Sequence, residues 1–145
     1  MIVAWENLGE LASRVVMVDG SFDPLHDGHI AYFAAASELG YPVLCNITSD
    51  SLTRRKHPVL LPQRRRAIVI SVIQHLSYVH CADVSTLEVL ERLRPVVYVK
   101  GNDWLARGGI PTEEAELCKD LSIEVKYVDT VLNSSTRLIA DLRAH

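Results

Sequence analysis

Two histidines with a glycine between them, His26, Gly28 and His29, are the residues of this chain best suited to chemistry on an anion. They close the run G-S-F-D-P-L-H-D-G-H, residues 20–29. Imidazoles spaced i and i+3 across a helix start project to the same side. The first N–H groups of a helix lack internal partners, and with the positive end of the helix dipole they form an anion site. Gly20 and Gly28 carry no Cβ, so backbone can approach a ligand there. Asp27 is the expected N-cap. The chemistry predicted is capture of a phosphate by backbone and imidazole donors together.

The elements that must hold this loop can be read from pattern. Residues 15–18 form an apolar run suited to a buried strand, and 19–24 form a turn rich in Asp, Gly, Ser and Pro. From Ile30 onward Phe33, Ala34 and Leu39 fall near one helical face. Gly40 breaks that helix and Pro42 blocks its continuation. Further strands are predicted at 43–47, 78–81, 96–99 and 123–128. A mostly buried helix is predicted to run from Pro62 through 67–76, with Pro62 in its first turn. A second begins at Ser85 with Glu88 as its capping-box partner. A third covers 111–121, and a last one runs from Ser134 to Leu142. Trp5, Leu8, Leu11 and Ala12 predict a short packing helix within an extension, residues 1–13, ahead of the first strand. Strand and helix alternate with short connections. That implies an α/β fold of one domain, 1–145, with a parallel sheet of five strands covered by helices on both faces.

Three later stretches add chemistry. Arg54, Arg55, Lys56, Arg64, Arg65 and Arg66 cluster beyond the 43–47 strand. Ligands of open α/β sheets bind at strand carboxyl ends, and cations there hold phosphates. The strand 96–99 runs into K-G-N-D-W, residues 100–104. Gly101 permits backbone approach, Asp103 can accept from ribose hydroxyls or an amine, and Trp104 can pack on a base or close the loop. N-S-S-T-R-L-I, residues 133–139, places hydroxyls and Arg137 at a helix start.

These stretches carry a resemblance. G-S-F-D-P-L-H-D-G-H is similar to the Gly-x-Phe-Asp-x-x-His-x-Gly-His signature of the cytidylyltransferase-like nucleotidyltransferases. K-G-N-D-W resembles their second signature, and S-S-T-R-L-I their third. The branch it resembles most is that of the heptose 1-phosphate adenylyltransferases. Glycerol-3-phosphate cytidylyltransferases share the plan, and archaeal-type FAD synthetases share the first motif.

The resemblance implies a Rossmann-like three-layer αβα fold and transfer of NMP from ATP or CTP to a phosphorylated acceptor, with pyrophosphate released. Mg²⁺ is the implied cofactor, with no protein metal site, and the implied assembly is a homodimer. His26, His29, Lys56 and Arg137 take catalytic roles. Gly20, Ser21, Phe22, Lys100, Gly101, Asp103, Ser134, Ser135 and Thr136 bind the nucleotide with the histidines. Asp23, Lys56 and Arg66 face the acceptor phosphate. Arg64, Ser77, Asp129 and Leu132 depart from the family pattern near the expected acceptor position. The acceptor therefore stays open among heptose 1-phosphate, glycerol 3-phosphate and FMN, and a nucleotide-binding module without turnover stays open beside the enzyme.

Composition bounds the rest. A chain of 145 residues with 48% hydrophobic and 23% charged residues suits one globular domain. A net charge of −3 gives no general attraction to nucleic acid or anionic membrane. Aromatics are not interleaved with the arginine cluster, which argues against nucleic-acid binding. No apolar run approaches a membrane span, and the N-terminus lacks a signal-peptide plan. Cys45, Cys81 and Cys118 are odd in number and far apart, which predicts free thiols in the cytoplasm.

Overall fold

The computed structural model describes residues 1–130 together with 139, 142 and 143. Its centre is a five-stranded parallel sheet in the order β3-β2-β1-β4-β5. The strands are β1 (Val16–Gly20), β2 (Val43–Ile47), β3 (Tyr78–Cys81), β4 (Val97–Gly101) and β5 (Glu124–Val128). Runs such as V-L-C-N-I in β2 are buried along their whole length, as a strand covered on both faces requires. The predicted α/β class and five parallel strands are what the chain forms.

Helices lie on both faces. α1 (Asp27–Ser37) and α3 (Gln63–Ile70) cover one. There Phe33, Ala36, Ala67 and Ile70 pack on Val16, Val18, Cys45 and Val99. α4 (Thr86–Leu93), α6 (Thr112–Asp120) and an N-terminal 3-10 helix, Trp5–Leu11, cover the other. There Leu8, Val89, Leu90, Leu93 and Cys118 pack on Val15, Met17, Leu44 and Tyr98. Burying each such aliphatic side chain contributes roughly 1.5–3 kcal/mol.

The N-terminal extension packs on this domain. Ile2 bridges to Val79 beside β3, so the first residues shield that sheet edge. Ser85 and Glu88 form the predicted capping box at α4.

Some boundaries differ from the expectation. α3 stops at Ile70 instead of running to residue 76, and Pro62 caps it from outside. Its outer side exposes Ile68 and Val69, with Val72 just beyond, so it is not mostly buried. The β-branched run 68–70 gives little support to a longer helix. The chain turns after it, and Ile73 and Leu76 still pack against the core. Pro111 likewise lies just before α6. Two four-residue helices, α2 (Asp50–Thr53) and α5 (Asp103–Ala106), sit after β2 and β4, where the sequence reading has loops.

The sheet order reverses between β1 and β4, which opens a crevice at their carboxyl ends. β1 pairs with β4 only at Val16↔Val97 and Met17↔Tyr98, whereas it pairs with β2 through Gly20↔Ile47. Beyond Met17 the two central strands part. The Tyr32 hydroxyl fills the gap, accepting from the Asp19 N–H at 3.2 Å and donating to the Val99 carbonyl. It satisfies two backbone groups that strand pairing leaves over.

Candidate active site

The loop after β1 is braced from three directions. Phe22 sits at a φ of 53° and folds its ring back over Gly20. A Cβ on Gly20 would lie 3.1 Å from that ring, so the glycine makes room for Phe22. The Phe22 ring meets His29 edge-on at 5.0 Å. Asp23 is buried and accepts from the Leu60 and Leu61 N–H groups at 2.7 and 2.9 Å. Arg66, 1% exposed, donates to the carbonyls of Leu61, Ser21 and Thr48 and to the Asp50 carboxylate at 2.5 Å. Ser21 Oγ lies 3.0 Å from Thr53 Oγ1. Asp23 and Arg66 thus hold the loop by its backbone. The polar atoms of both are engaged within the fold.

At the start of α1 the histidines cap their own helix. His26 is the N-cap, in place of the expected Asp27, and its Nδ1 accepts from the Gly28 N–H at 3.0 Å. The Nδ1 of His29 accepts from the His26 N–H at 3.2 Å, closing a capping box made of imidazoles. The His29 and Ile30 N–H groups turn back to the His26 carbonyl. The N–H groups of Gly28, His29 and Ile30 are thus engaged within the fold.

Because each Nδ1 accepts, each ring proton sits on Nε2. The rings stack with centroids 3.8 Å apart. Burial first, and then the neighbouring His26, lower the pKa of His29 to about 3. Burial also lowers that of His26, against the pull of Asp27. Both rings are neutral at pH 7, with fixed Nε2–H donors. His26 Nε2 is buried and has no hydrogen-bond partner among the described residues. A buried polar atom of this kind calls for a ligand or water.

β4 brings the second group of side chains across the crevice. Lys100, nearly buried, pairs with the Asp19 carboxylate at 2.5 Å. Its ammonium also lies 4.6 Å over the Trp104 ring, which Arg107 approaches at 4.9 Å. A Cβ on Gly101 would stand 2.7 Å from Asp103 Oδ1, so this glycine lets Asp103 fold back over β4. Lys56 is an exposed residue, but its ammonium feels this cluster. Desolvation lowers its pKa first, then Lys100 and Arg107, while Asp19 and Asp103 oppose the shift. The other cations, Arg54, Arg55, Arg64 and Arg65, point to solvent.

An apolar recess of about 180 Å³ opens beside the loop, lined by Leu25, Leu60, Leu61 and Val69 among others. It offers a phosphate no free cation, since Asp23 and Arg66 are the charged residues in its wall. The three cysteine thiols are held above their ordinary pKa, chiefly by burial, so none is a ready nucleophile.

The histidine pair, Ser21, Phe22, Lys56, Lys100, Gly101 and Asp103 thus gather at the carboxyl ends of β1, β2 and β4. Residues 17–140 match the model of the cytidylyltransferase-like family. The chain belongs to that family. As a cytidylyltransferase-like protein it is a nucleotidyltransferase enzyme.

It is 37% identical to the bifunctional protein HldE of Geobacter sulfurreducens over 131 residues, 87% of this chain and 26% of that one. It is 33% identical to the HldE of Campylobacter concisus over 140 residues, 90% of this chain and 28% of that one. The chain therefore spans little more than a quarter of the curated relatives it matches. Its fold is similar to a lipopolysaccharide core biosynthesis protein from Thermoplasma volcanium, with a TM-score of 0.68 and 21% identity over 81% of this chain and 97% of that one. It is also similar to the pantothenate synthetase of Thermus thermophilus, with a TM-score of 0.63 and 15% identity over 96% of this chain and 70% of that one.

Ser134, Ser135, Thr136 and Arg137 lie outside the described residues. Asp19, Tyr32, Tyr98, Arg107 and Glu114 belong to the crevice and escape the sequence reading. Tyr32 alone had a local signal, three residues after His29 on the inner side of α1. Among the described residues no three His, Cys, Asp or Glu side chains converge as a metal cage. No helix among the described residues is long and apolar enough to cross a membrane.

Proposed function

We propose that the protein transfers the NMP group of an NTP to a small phosphorylated acceptor, with a sugar 1-phosphate such as heptose 1-phosphate as the leading candidate. The observation that carries this is the histidine pair. Each Nδ1 is tied to backbone, which leaves each Nε2 as the donor, and the buried His26 Nε2 lacks a partner among the described residues. Two neutral donors fixed side by side suit phosphate oxygens that gain charge during transfer.

An acceptor phosphate oxygen attacks the α-phosphorus, the bond to the β-phosphate oxygen breaks, and pyrophosphate leaves. The attacking group is already anionic, so no general base is required. The chain's task is to align and neutralise. His26 and His29 hydrogen-bond the phosphates in flight. Lys56 and Lys100 neutralise the oxygens that collect charge, and Asp103 faces the ribose or base. Gly20 acts through Phe22, and Gly101 by admitting Asp103. Ser134, Ser135, Thr136 and Arg137 hold the β- and γ-phosphates in this reading. Mg²⁺ supplies further neutralisation of the triphosphate. The K-G-N-D-W signature and the HldE relatives support the sugar-phosphate branch. A homodimer in the cytoplasm completes the proposal.

The test is pyrophosphate release with Mg²⁺, crossing ATP and CTP with heptose 1-phosphate, other sugar 1-phosphates, glycerol 3-phosphate and FMN. One productive pair establishes the reaction and names both substrates. Measurable NTP binding with no release from any pair would point instead to a binding module without turnover.

A further inference from the structure

Behind Lys100 lies a polar chain that the reaction as described does not use. The Tyr98 hydroxyl stands 3.0 Å from Asp19 Oδ2 and 3.0 Å from Glu114 Oε1. Asp19 Oδ1 in turn takes Lys100 at 2.5 Å. A phenol has one proton and cannot point it at two acceptors with good geometry. If both contacts are hydrogen bonds, one carboxyl must carry a second proton. Asp19 already has Lys100 against it. Glu114 has no cation within ion-pairing distance among the described residues, and it lies beside the charge of Asp19. The proton belongs on Glu114. The chain then reads in one direction: Glu114 donates to Tyr98, Tyr98 donates to Asp19, and Asp19 holds Lys100.

Other groups on this side do not supply an alternative. Asp19 on β1 and Tyr98 and Lys100 on β4 are the charges and dipoles that act on Glu114. Cys118 lies one turn along its own helix. α4 and β5, which pack on α6, contribute Val89, Leu90, Leu93, Val125 and Tyr127 to the same apolar layer. The Tyr127 hydroxyl accepts from the Ile110 N–H. Tyr32 and Lys56 approach Asp19 from the other side of the chain.

We infer that Glu114 is a positioning residue that stores a proton for Asp19 and so frees Lys100 to leave Asp19 for an anionic substrate. This rests on the reading that Lys100 meets the nucleotide. When Lys100 turns to a phosphate, the Asp19 side chain, only 8% exposed, would be left as a bare buried anion. The chain prevents that. The proton leaves Glu114 Oε1 for Tyr98 Oη as the Tyr98 proton passes to Asp19 Oδ2. One O–H bond breaks on Glu114, one forms on Asp19, Tyr98 stays a neutral phenol, and no proton enters or leaves. The negative charge ends on Glu114, which is half-buried on α6 and nearer water. Desolvation, and then Asp19, hold the Glu114 carboxyl above its ordinary pKa, which agrees with this assignment.

Glu114→Gln isolates the idea. Glutamine still donates to Tyr98 and still fills the space, but it has no proton to give up. Infrared spectra between about pH 5 and about pH 8 should show a protonated-carboxyl stretch in the wild type that the variant lacks. Calorimetry with ATP and CTP in turn should show NTP affinity about tenfold weaker in the variant, the worth of about one pKa unit, and a loss of its acid-side pH dependence. An unchanged melting temperature establishes that the fold is intact. Should Glu114→Gln fold poorly, Tyr98→Phe keeps the ring, cuts the chain and should weaken binding in the same way. If the wild type binds NTP and the variants bind it equally across that pH range, or if Glu114→Gln removes no carboxyl band, the proton store is wrong while the nucleotide site stands. If the wild type binds neither NTP, the nucleotide reading fails and this inference fails with it.

Discussion

Replacing His29 by asparagine leaves an acceptor near the position of Nδ1 and removes the donor at Nε2. The capping contact to the His26 N–H survives, so the helix keeps its start. Turnover should fall by about 10²–10³, the scale of losing one transition-state donor, with the melting temperature nearly unchanged. His29→Ala should lose the same activity and about 1 kcal/mol of stability besides, because the cap goes too. Pyrophosphate release paired with thermal unfolding separates the two roles, and an asparagine variant within a few fold of wild type would remove His29 from the phosphate's donors. The same residue sets a pH dependence. Its folded pKa is lowered to about 3 from the ordinary 6.5. Between these values the unfolded chain binds a proton that the folded chain refuses. The stability is therefore complete above 6.5 and is lost as pH falls toward 3. Urea midpoints across that window should fall less steeply for His29→Asn than for the wild type.

Arg66 joins separate elements of the fold. It leaves α3 to tie the loop after β1, the turn after β2 and α2 into one frame through three carbonyls and Asp50. Arg66→Met keeps much of the volume and strands those acceptors. The expected cost is about 3 kcal/mol by urea denaturation, with activity lost as the loop beneath the histidines relaxes. Arg66→Lys should recover little, since one ammonium cannot reproduce a planar fork directed at four oxygens. Seen along the chain, Arg66 is one of six clustered cations, and nothing local separates the buried one from its exposed neighbours. Its depth depends on α3 turning that side against the sheet. α2 and α5 were also invisible to periodicity, because four residues contain too little of a 3.6-residue repeat to register.

Across the whole molecule, the pair of Lys100 and Asp19 spans the seam where the central strands part, joining residues 81 apart in sequence. Lys100→Met removes the cation of Asp19. With the Glu114 proton passing to Asp19, the cost should stay below the about 3–5 kcal/mol of a stranded buried charge, and the full cost should appear once Glu114→Gln is added. Adding Asp19→Asn to Lys100→Met instead should return most of the lost stability but not the turnover. Melting temperature and pyrophosphate release, measured on these variants, show whether Lys100 serves the substrate as well as the fold.

The sequence alone determined the alternation of strand and helix, the five parallel strands and the position of the histidine loop. Those follow from local pattern: apolar runs, turn residues and spacing within ten positions of one another. Only the tertiary structure decided which polar groups are spent on the fold and which remain for a ligand. Asp23 and Arg66 turned inward, His26 displaced Asp27 as the cap, and Asp19, Tyr98 and Glu114 joined into a chain. Each of these outcomes except the cap depends on register between segments remote in sequence, and the cap depends on an imidazole doing what a carboxylate usually does. A hydrogen bond is fixed by distance and angle to about half an ångström, and composition and periodicity carry no information on that scale.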